Sequence, residues 1–181
     1  MTKVLSFENS IFIIFFLLFS LCSYDSLLDK GPMGIHLWRQ TDCLSLTQNY
    51  YEGNSFLEPE LHIKLADDYT SGKTAGEFPV IYYLVAQIWK ATGMLYLSYR
   101  LLYLFILFLG LFSFYKTLRI IFTDFFRPVV LTFLLFTSPV YVIYGISFLT
   151  DEVYLNKDFL LPYLIKPLGK YKNISYFSFS K

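Results

Sequence analysis

Three apolar runs, Ile11–Cys22, Met94–Tyr115 and Val129–Phe148, leave one long polar stretch in the first 150 residues of this chain. A helix that crosses a bilayer needs ~20 mostly apolar residues, and few soluble folds have room for three such segments in a short chain. Composition agrees, with 16% charged residues in this chain where a soluble domain carries ~25%. Twenty Phe and sixteen Tyr suit lipid-facing surfaces and the aromatic belts at membrane interfaces. The expectation is an all-α membrane protein with about three transmembrane helices.

The first run reaches spanning length only when extended through Ser23, Tyr24, Asp25 and Ser26 to Leu28. Lys3 followed by a short apolar core also fits a signal peptide. No A-x-A-like site follows, however, and Leu21 stands where a lipoprotein cleavage site wants a small residue before Cys22. A retained anchor is therefore expected. The second run carries Arg100 near its start, and the third is loosened at Pro139 and Gly145. The connector Lys116–Pro128 sets Lys116, Arg119 and Arg127 against Asp124. Basic short loops mark the cytoplasmic side, so Lys3 and this connector are expected inside, and Asp29–Gly93 and Thr150–Glu152 outside.

Four regions result: an N-terminal span (1–28), an outer loop (29–93), two spans with a short connector (94–152), and an atypical tail (153–181). The tail mixes Lys157, Lys166, Lys170, Lys172 and Lys181 with Pro162, Pro167 and Gly169, and it makes no clean fourth span. Asn173-Ile-Ser is a glycosylation sequon by pattern, but such triplets are common by chance. A net charge of +1 and the absence of a basic stripe give no reason to expect a nucleic-acid partner. Cys22 and Cys43 belong to segments at different depths, so no disulfide is expected between them.

Inside the outer loop two short helices are expected. Thr41–Tyr51 has Thr41 as a cap and Leu44, Thr47, Tyr50 and Tyr51 at helical spacing. The second has Pro79 at its start and Gly93 at its end, with Ile81, Leu84, Val85 and Ile88 along one face. Its stripe is short and one-sided, which suits a helix lying in the membrane interface.

Acidic residues fall at three points of the expected outer face. Asp42 follows Trp38 and Arg39, Glu77 precedes Phe78-Pro79, and Asp151-Glu152 follows the third run. Each alone has an ordinary explanation, since an acid in a first helical turn stabilises it by ~0.3–1 kcal/mol. Together, carboxylates from separate segments at one membrane face can serve as general base and metal ligands. His36 and His62 lack a partner at metal-ligand spacing, and Asp67-Asp68 reads as a solvated turn. Arg100 either snorkels outward or holds an anionic head group such as a phosphate, and both readings stay open.

The strings H-L-W-R-Q-T-D at His36–Asp42 and G-E-F-P-V-I-Y-Y-L-V-A with its closing K-A-T-G at Gly76–Gly93 resemble the polytopic glycosyltransferases of the GT-C superfamily. The nearest kinds are the dolichyl-phosphate-mannose-protein mannosyltransferase-like and aminoarabinose-transferase-like bacterial enzymes. That resemblance covers roughly Ile11–Tyr154, is specific at the two motifs and is hydropathic elsewhere. It implies a first span, an outer loop with two surface helices, and many further spans. It also implies a polyprenyl-phosphate-linked sugar donor, a lipid or glycan acceptor, and residence in the bacterial inner membrane as a multi-pass protein with loop 29–93 outside. Asp42 is then the catalytic acid of the first loop, and Glu77 the acid of the Glu-x-Pro element. Trp38, Arg39 and Arg100 contact substrate, while Glu77 and Asp151 are candidate ligands of a divalent Mg or Mn ion. Thr150 stands where the family has proline before its later acid, and Cys43 follows Asp42 where some members have a second acid. The family chain is much longer, so a truncated or frameshifted product is expected. The alternative is a small noncatalytic membrane protein, either an interaction subunit or an inactive remnant.

Overall fold

The computed structural model describes residues 2–74 and 79–149, with side chains from residue 7 onward. Among the described residues every regular element is helical: α1 (Thr2–Tyr24), α2 (Leu37–Glu52), α3 (Val80–Thr92), α4 (Tyr96–Ile121), α5 (Phe126–Phe136) and α6 (Pro139–Tyr144). A 3₁₀ turn, Asp25–Leu27, extends α1. Two isolated antiparallel bridges lie in the described part of the α2–α3 connection, Glu60–Lys73 and Ala66–Ser71, and the described residues form no strand.

Among the described residues two helices are long and apolar enough to cross a membrane: Phe7–Leu27 and Tyr96–Ile121, each with mean hydropathy 1.9. They run antiparallel. Glu8 meets Arg119 and Asn9 meets Lys116 at one end, and Phe16 meets Phe108 nearer the other. On α1, Phe12, Phe16 and Phe19 recur at i, i+4 and i+7, which puts them on one face. That face meets Phe112 and Tyr115 of α4 and Phe133 and Phe136 of α5. The seam is almost entirely aromatic, with Phe12 stacked on Tyr115 at 4.5 Å and Phe19 edge-on to Phe133 at 4.9 Å.

The third apolar run is not one helix. It divides into α5 and α6, parted at Thr137-Ser138. Pro139 opens α6 as its first residue, where a missing N–H costs nothing and φ is already helical. The proline thus starts a new helix instead of kinking a continuous one. Gly145 ends α6 with its N–H on the Tyr141 carbonyl at 2.9 Å. A Cβ at Gly145 would lie 2.4 Å from that carbonyl oxygen and 2.9 Å from Leu107 of α4, so only glycine fits this close approach.

The two helices of the polar loop form, with altered details. α2 begins at Leu37, four residues before Thr41. Thr41 is therefore inside the helix and donates to the Trp38 carbonyl at 2.6 Å instead of capping. His36, in the left-handed region at φ 57°, is the residue at the boundary. On α3 the buried stripe is Tyr82, Val85, Ala86 and Trp89. Of the four residues expected on that face, Val85 alone is fully buried, and Leu84 is exposed. Tyr and Trp seat apolar rings while finding partners for their polar tips, and this shifts the buried face by one residue. Trp89 donates to the Leu95 carbonyl at 2.9 Å, and the Tyr82 hydroxyl lies 3.3 Å from the Cys43 sulfur.

α2 and α3 pack on each other and on the first turns of α4. One core unites Cys43, Leu46 and Tyr50 of α2, the α3 stripe, Tyr99 and Tyr103 of α4, and Phe148 and Leu149. A second, built on Phe16, Tyr24, Leu107, Leu111, Phe136 and Tyr141, lies between the long helices. Both cysteines are free thiols, Cys22 exposed and Cys43 buried.

Candidate functional site

α2 is fixed from its N-terminal side by Gln40. Its side-chain amide donates to the Met33 carbonyl at 2.9 Å and to the Ile35 carbonyl at 2.8 Å. The preceding turn carries Gly34 at φ 74° and His36 at φ 57°, so two left-handed residues and a buried amide set the direction in which α2 leaves. Gln40 is the fifth residue of H-L-W-R-Q-T-D. Its burial, 3% exposed, reveals an organising role that a polar letter in a polar loop does not advertise.

Asp42 sits in the second turn of α2, since the helix starts five residues earlier and has no acid in its first turn. Helix-dipole stabilisation falls off within the first turn, so it does not account for this carboxylate. Asp42 is half-buried. Arg39 is one turn before it and Ser45 one turn after it, positions that are neighbours on a helix surface. Ser45 holds His62, a loop residue without a metal-ligand partner by sequence spacing. Its hydroxyl accepts from the His62 backbone N–H at 2.8 Å and meets the His62 Nδ1 at 2.8 Å. Asn49, a further turn along, donates to the Glu60 carbonyl. The polar face of α2 therefore clamps the 56–62 loop, with Asp42 at its N-terminal edge. Trp38 is 68% exposed.

Arg100 does not snorkel. It is 3% exposed and ties three segments together. Nε and Nη2 donate to the Lys30 carbonyl at 3.0 and 2.7 Å, Nη2 to the Gly31 carbonyl at 3.0 Å, and Nη1 to the Ile146 carbonyl at 2.6 Å. The guanidinium also lies over the Phe148 ring, 4.6 Å from its centroid. Beside it opens a cavity of about 290 Å³, bounded by Leu27, Gln40, Val142, Ile143 and Ser147.

Glu77 and Asp151 lie outside the described residues. Among the described residues no group of three or more His, Cys, Asp and Glu is placed to hold a metal ion. These residues alone do not make a divalent-ion site. What the described part offers is a half-buried carboxylate with a cation one turn away, beside the anchoring point of a loop. Such a carboxylate can take a proton from a hydroxyl brought within ~2.6–3.2 Å.

No protein-family model, curated protein or solved structure matches this chain.

Proposed function

We propose that the chain acts as a membrane glycosyltransferase that moves a sugar from a polyprenyl-phosphate donor to a lipid or glycan hydroxyl at the outer membrane face. Supporting this reading is the position of Asp42. It lies in the motif that resembles the GT-C enzymes, in a second helical turn where dipole electrostatics gives it no structural task. A further support is the arrangement of two short packed helices between two helices of spanning length.

In this mechanism Asp42 accepts the proton of the acceptor hydroxyl. The oxygen attacks the anomeric carbon from the face opposite the phosphate, the new C–O bond forms as the sugar–phosphate bond breaks, and configuration inverts. The departing phosphate carries the displaced electron pair, and the Arg39 cation favours that charge. Trp38 offers the sugar or the membrane interface a flat apolar surface. The protein belongs in the inner membrane, with the α2–α3 layer outside.

Sugar transfer from radiolabelled polyprenyl-phosphate donor, measured in membranes carrying the full chain, tests the reading. Asp42→Asn removes the base and is expected to lower transfer by about 10²–10⁴-fold while leaving membrane insertion intact. Full activity of that variant overturns the assignment.

A further inference from the structure

Arg100 fixes the depth of the segment that leaves α1. It is the fifth residue of α4, so it lies ~6 Å along the helix from Tyr96. Its guanidinium holds the Lys30 and Gly31 carbonyls at 2.7 and 3.0 Å, and Met33 and Ile35 border the same cavity as Arg100, Val142 and Ile143. The 30–35 segment therefore stands level with the first turns of a helix of spanning length. Gln40 takes the Met33 and Ile35 carbonyls inward, and Gly34 and His36 turn the chain through left-handed φ values. Protein donors thus satisfy two backbone acceptors that lipid could not. The apolar side chains stay outside: Met33, Ile35, Leu37 and Trp38 are exposed, as are Val142 and Ile143 of α6. Exposed Lys30 and His36 give this patch a polar rim. By contrast α3, the helix expected in the interface, spends Tyr82, Val85, Ala86 and Trp89 on the core it shares with α2 and α4.

We infer that the 33–38 segment, with Val142 and Ile143, seats in the headgroup-to-acyl boundary of the leaflet on the α2–α3 side. An exposed apolar patch with a polar rim marks a membrane or protein contact, and here continuity selects lipid. Leu27, the last residue of the α1 span, borders the same cavity as Met33 and Ile35, so the patch begins where the exposed apolar side of α1, with Leu17, Leu18 and Leu21, leaves off. Trp38 at its far edge suits the headgroup level, where tryptophan is enriched. Because Gln40 ties this segment to α2, seating it fixes the height of α2 over the bilayer. The inference rests on α1 and α4 crossing a membrane and not on sugar transfer.

The test is tryptophan fluorescence of the full chain in phosphatidylcholine vesicles carrying brominated acyl chains. The chain has two tryptophans, and Trp89 is buried. The emission lost in Trp38→Phe therefore belongs to Trp38, and no core residue need be changed. That emission is expected to be blue-shifted, and quenched more by bromines near the glycerol end of the acyl chain than by bromines near its tip. Phe105, exposed two turns further into α4, serves as the depth control. In Trp38→Phe/Phe105→Trp the deeper bromines are expected to quench more. Ile35→Asp and Leu37→Asp, both at exposed positions, are each expected to cut the quenching of Trp38 by about half or more, because a carboxylate resists the acyl boundary, with helical circular dichroism unchanged. Unquenched, water-like emission from Trp38 with a quenched Phe105→Trp overturns the inference and leaves the spans standing. Blue-shifted but unquenched emission overturns it in favour of a protein partner. Absent quenching at both positions overturns the spans and the inference together. Undiminished quenching in folded Ile35→Asp and Leu37→Asp chains overturns the seating of this segment.

Discussion

Arg100 and Ile146 are 46 residues apart in the chain, and the guanidinium of one donates to the carbonyl of the other over 2.6 Å. The same side chain holds the Lys30 and Gly31 carbonyls, 70 and 69 residues away on the other side. A single cation at the start of α4 thus ties the segment leaving α1 to the segment leaving α6. Removing it by Arg100→Ala leaves three carbonyls without these donors. A hydrogen bond to a charged group contributes about 1.5–3 kcal/mol, so a loss of about 2 kcal/mol or more is expected in denaturant unfolding of the detergent-solubilised chain. Arg100→Lys should recover only part of this, because an ammonium is a point charge without the planar fork that reaches several carbonyls. Equal stability of Arg100→Lys and the parent would show that charge alone holds the segments.

Gly145 makes that bracing possible, since it allows the end of α6 to come within reach of Leu107. In Gly145→Ala the added methyl meets the Tyr141 carbonyl oxygen at 2.4 Å. The segment carrying Ile146 must then shift, at a cost of about 1–3 kcal/mol from overpacking. A lowered thermal midpoint for Gly145→Ala checks this. An unchanged midpoint would mean that the α6 end relaxes without strain.

The long helices could be read from their apolar runs, and α3 from Pro79 and Gly93, because length and helix-end chemistry are local signals. Three features could not be read in this way. The start of α2 depends on His36 accepting a left-handed φ and on Gln40 holding two carbonyls of the preceding turn, and neither is written in residue periodicity. The division of the third run at Ser138 follows from which helical position Pro139 occupies, and that is settled by the packing of Tyr141 and Phe136 in one core. Arg100 was an ionisable residue in an apolar run with two open fates. Its partners come from distant loops, so the bracing role emerges only once the chain is folded. Asp42 is an acid near a helix start by sequence, and its distance from Leu37 is what separates it from an ordinary first-turn acid.

At the end of the long helices away from α2 and α3, Glu8 and Arg119 form an ion pair at 2.5 Å, with side chains 16–17% exposed. Arg119 also donates to the Asp124 carbonyl at 2.6 Å, which joins α1, α4 and the connector. Partial burial limits solvent screening, so this pair contributes more than an exposed one. A double-mutant cycle with Glu8→Gln and Arg119→Gln is expected to give a coupling energy of about 1 kcal/mol, read from unfolding midpoints in detergent. Strict additivity of the two substitutions would show that the pair does not couple the helices.

Tyr50 supplies a pH dependence outside the long helices. It is 1% exposed and donates its hydroxyl to the Phe56 carbonyl at 3.1 Å, and burial raises its pKa above the usual 10.0. The folded state therefore holds the phenol proton more tightly than the unfolded chain does. The stabilisation is fully present below the unfolded pKa of about 10, and it is lost as pH rises through the higher folded value, because the unfolded chain ionises first. Stability measured by denaturant unfolding should thus be insensitive to this residue near neutral pH and decline in the alkaline range. Tyr50→Phe cannot ionise at this position. It should cost about 1 kcal/mol at neutral pH for the lost hydrogen bond and show a shallower alkaline decline than the parent. Parallel pH profiles for the two chains would locate the alkaline sensitivity in other tyrosines and remove Tyr50 from the account.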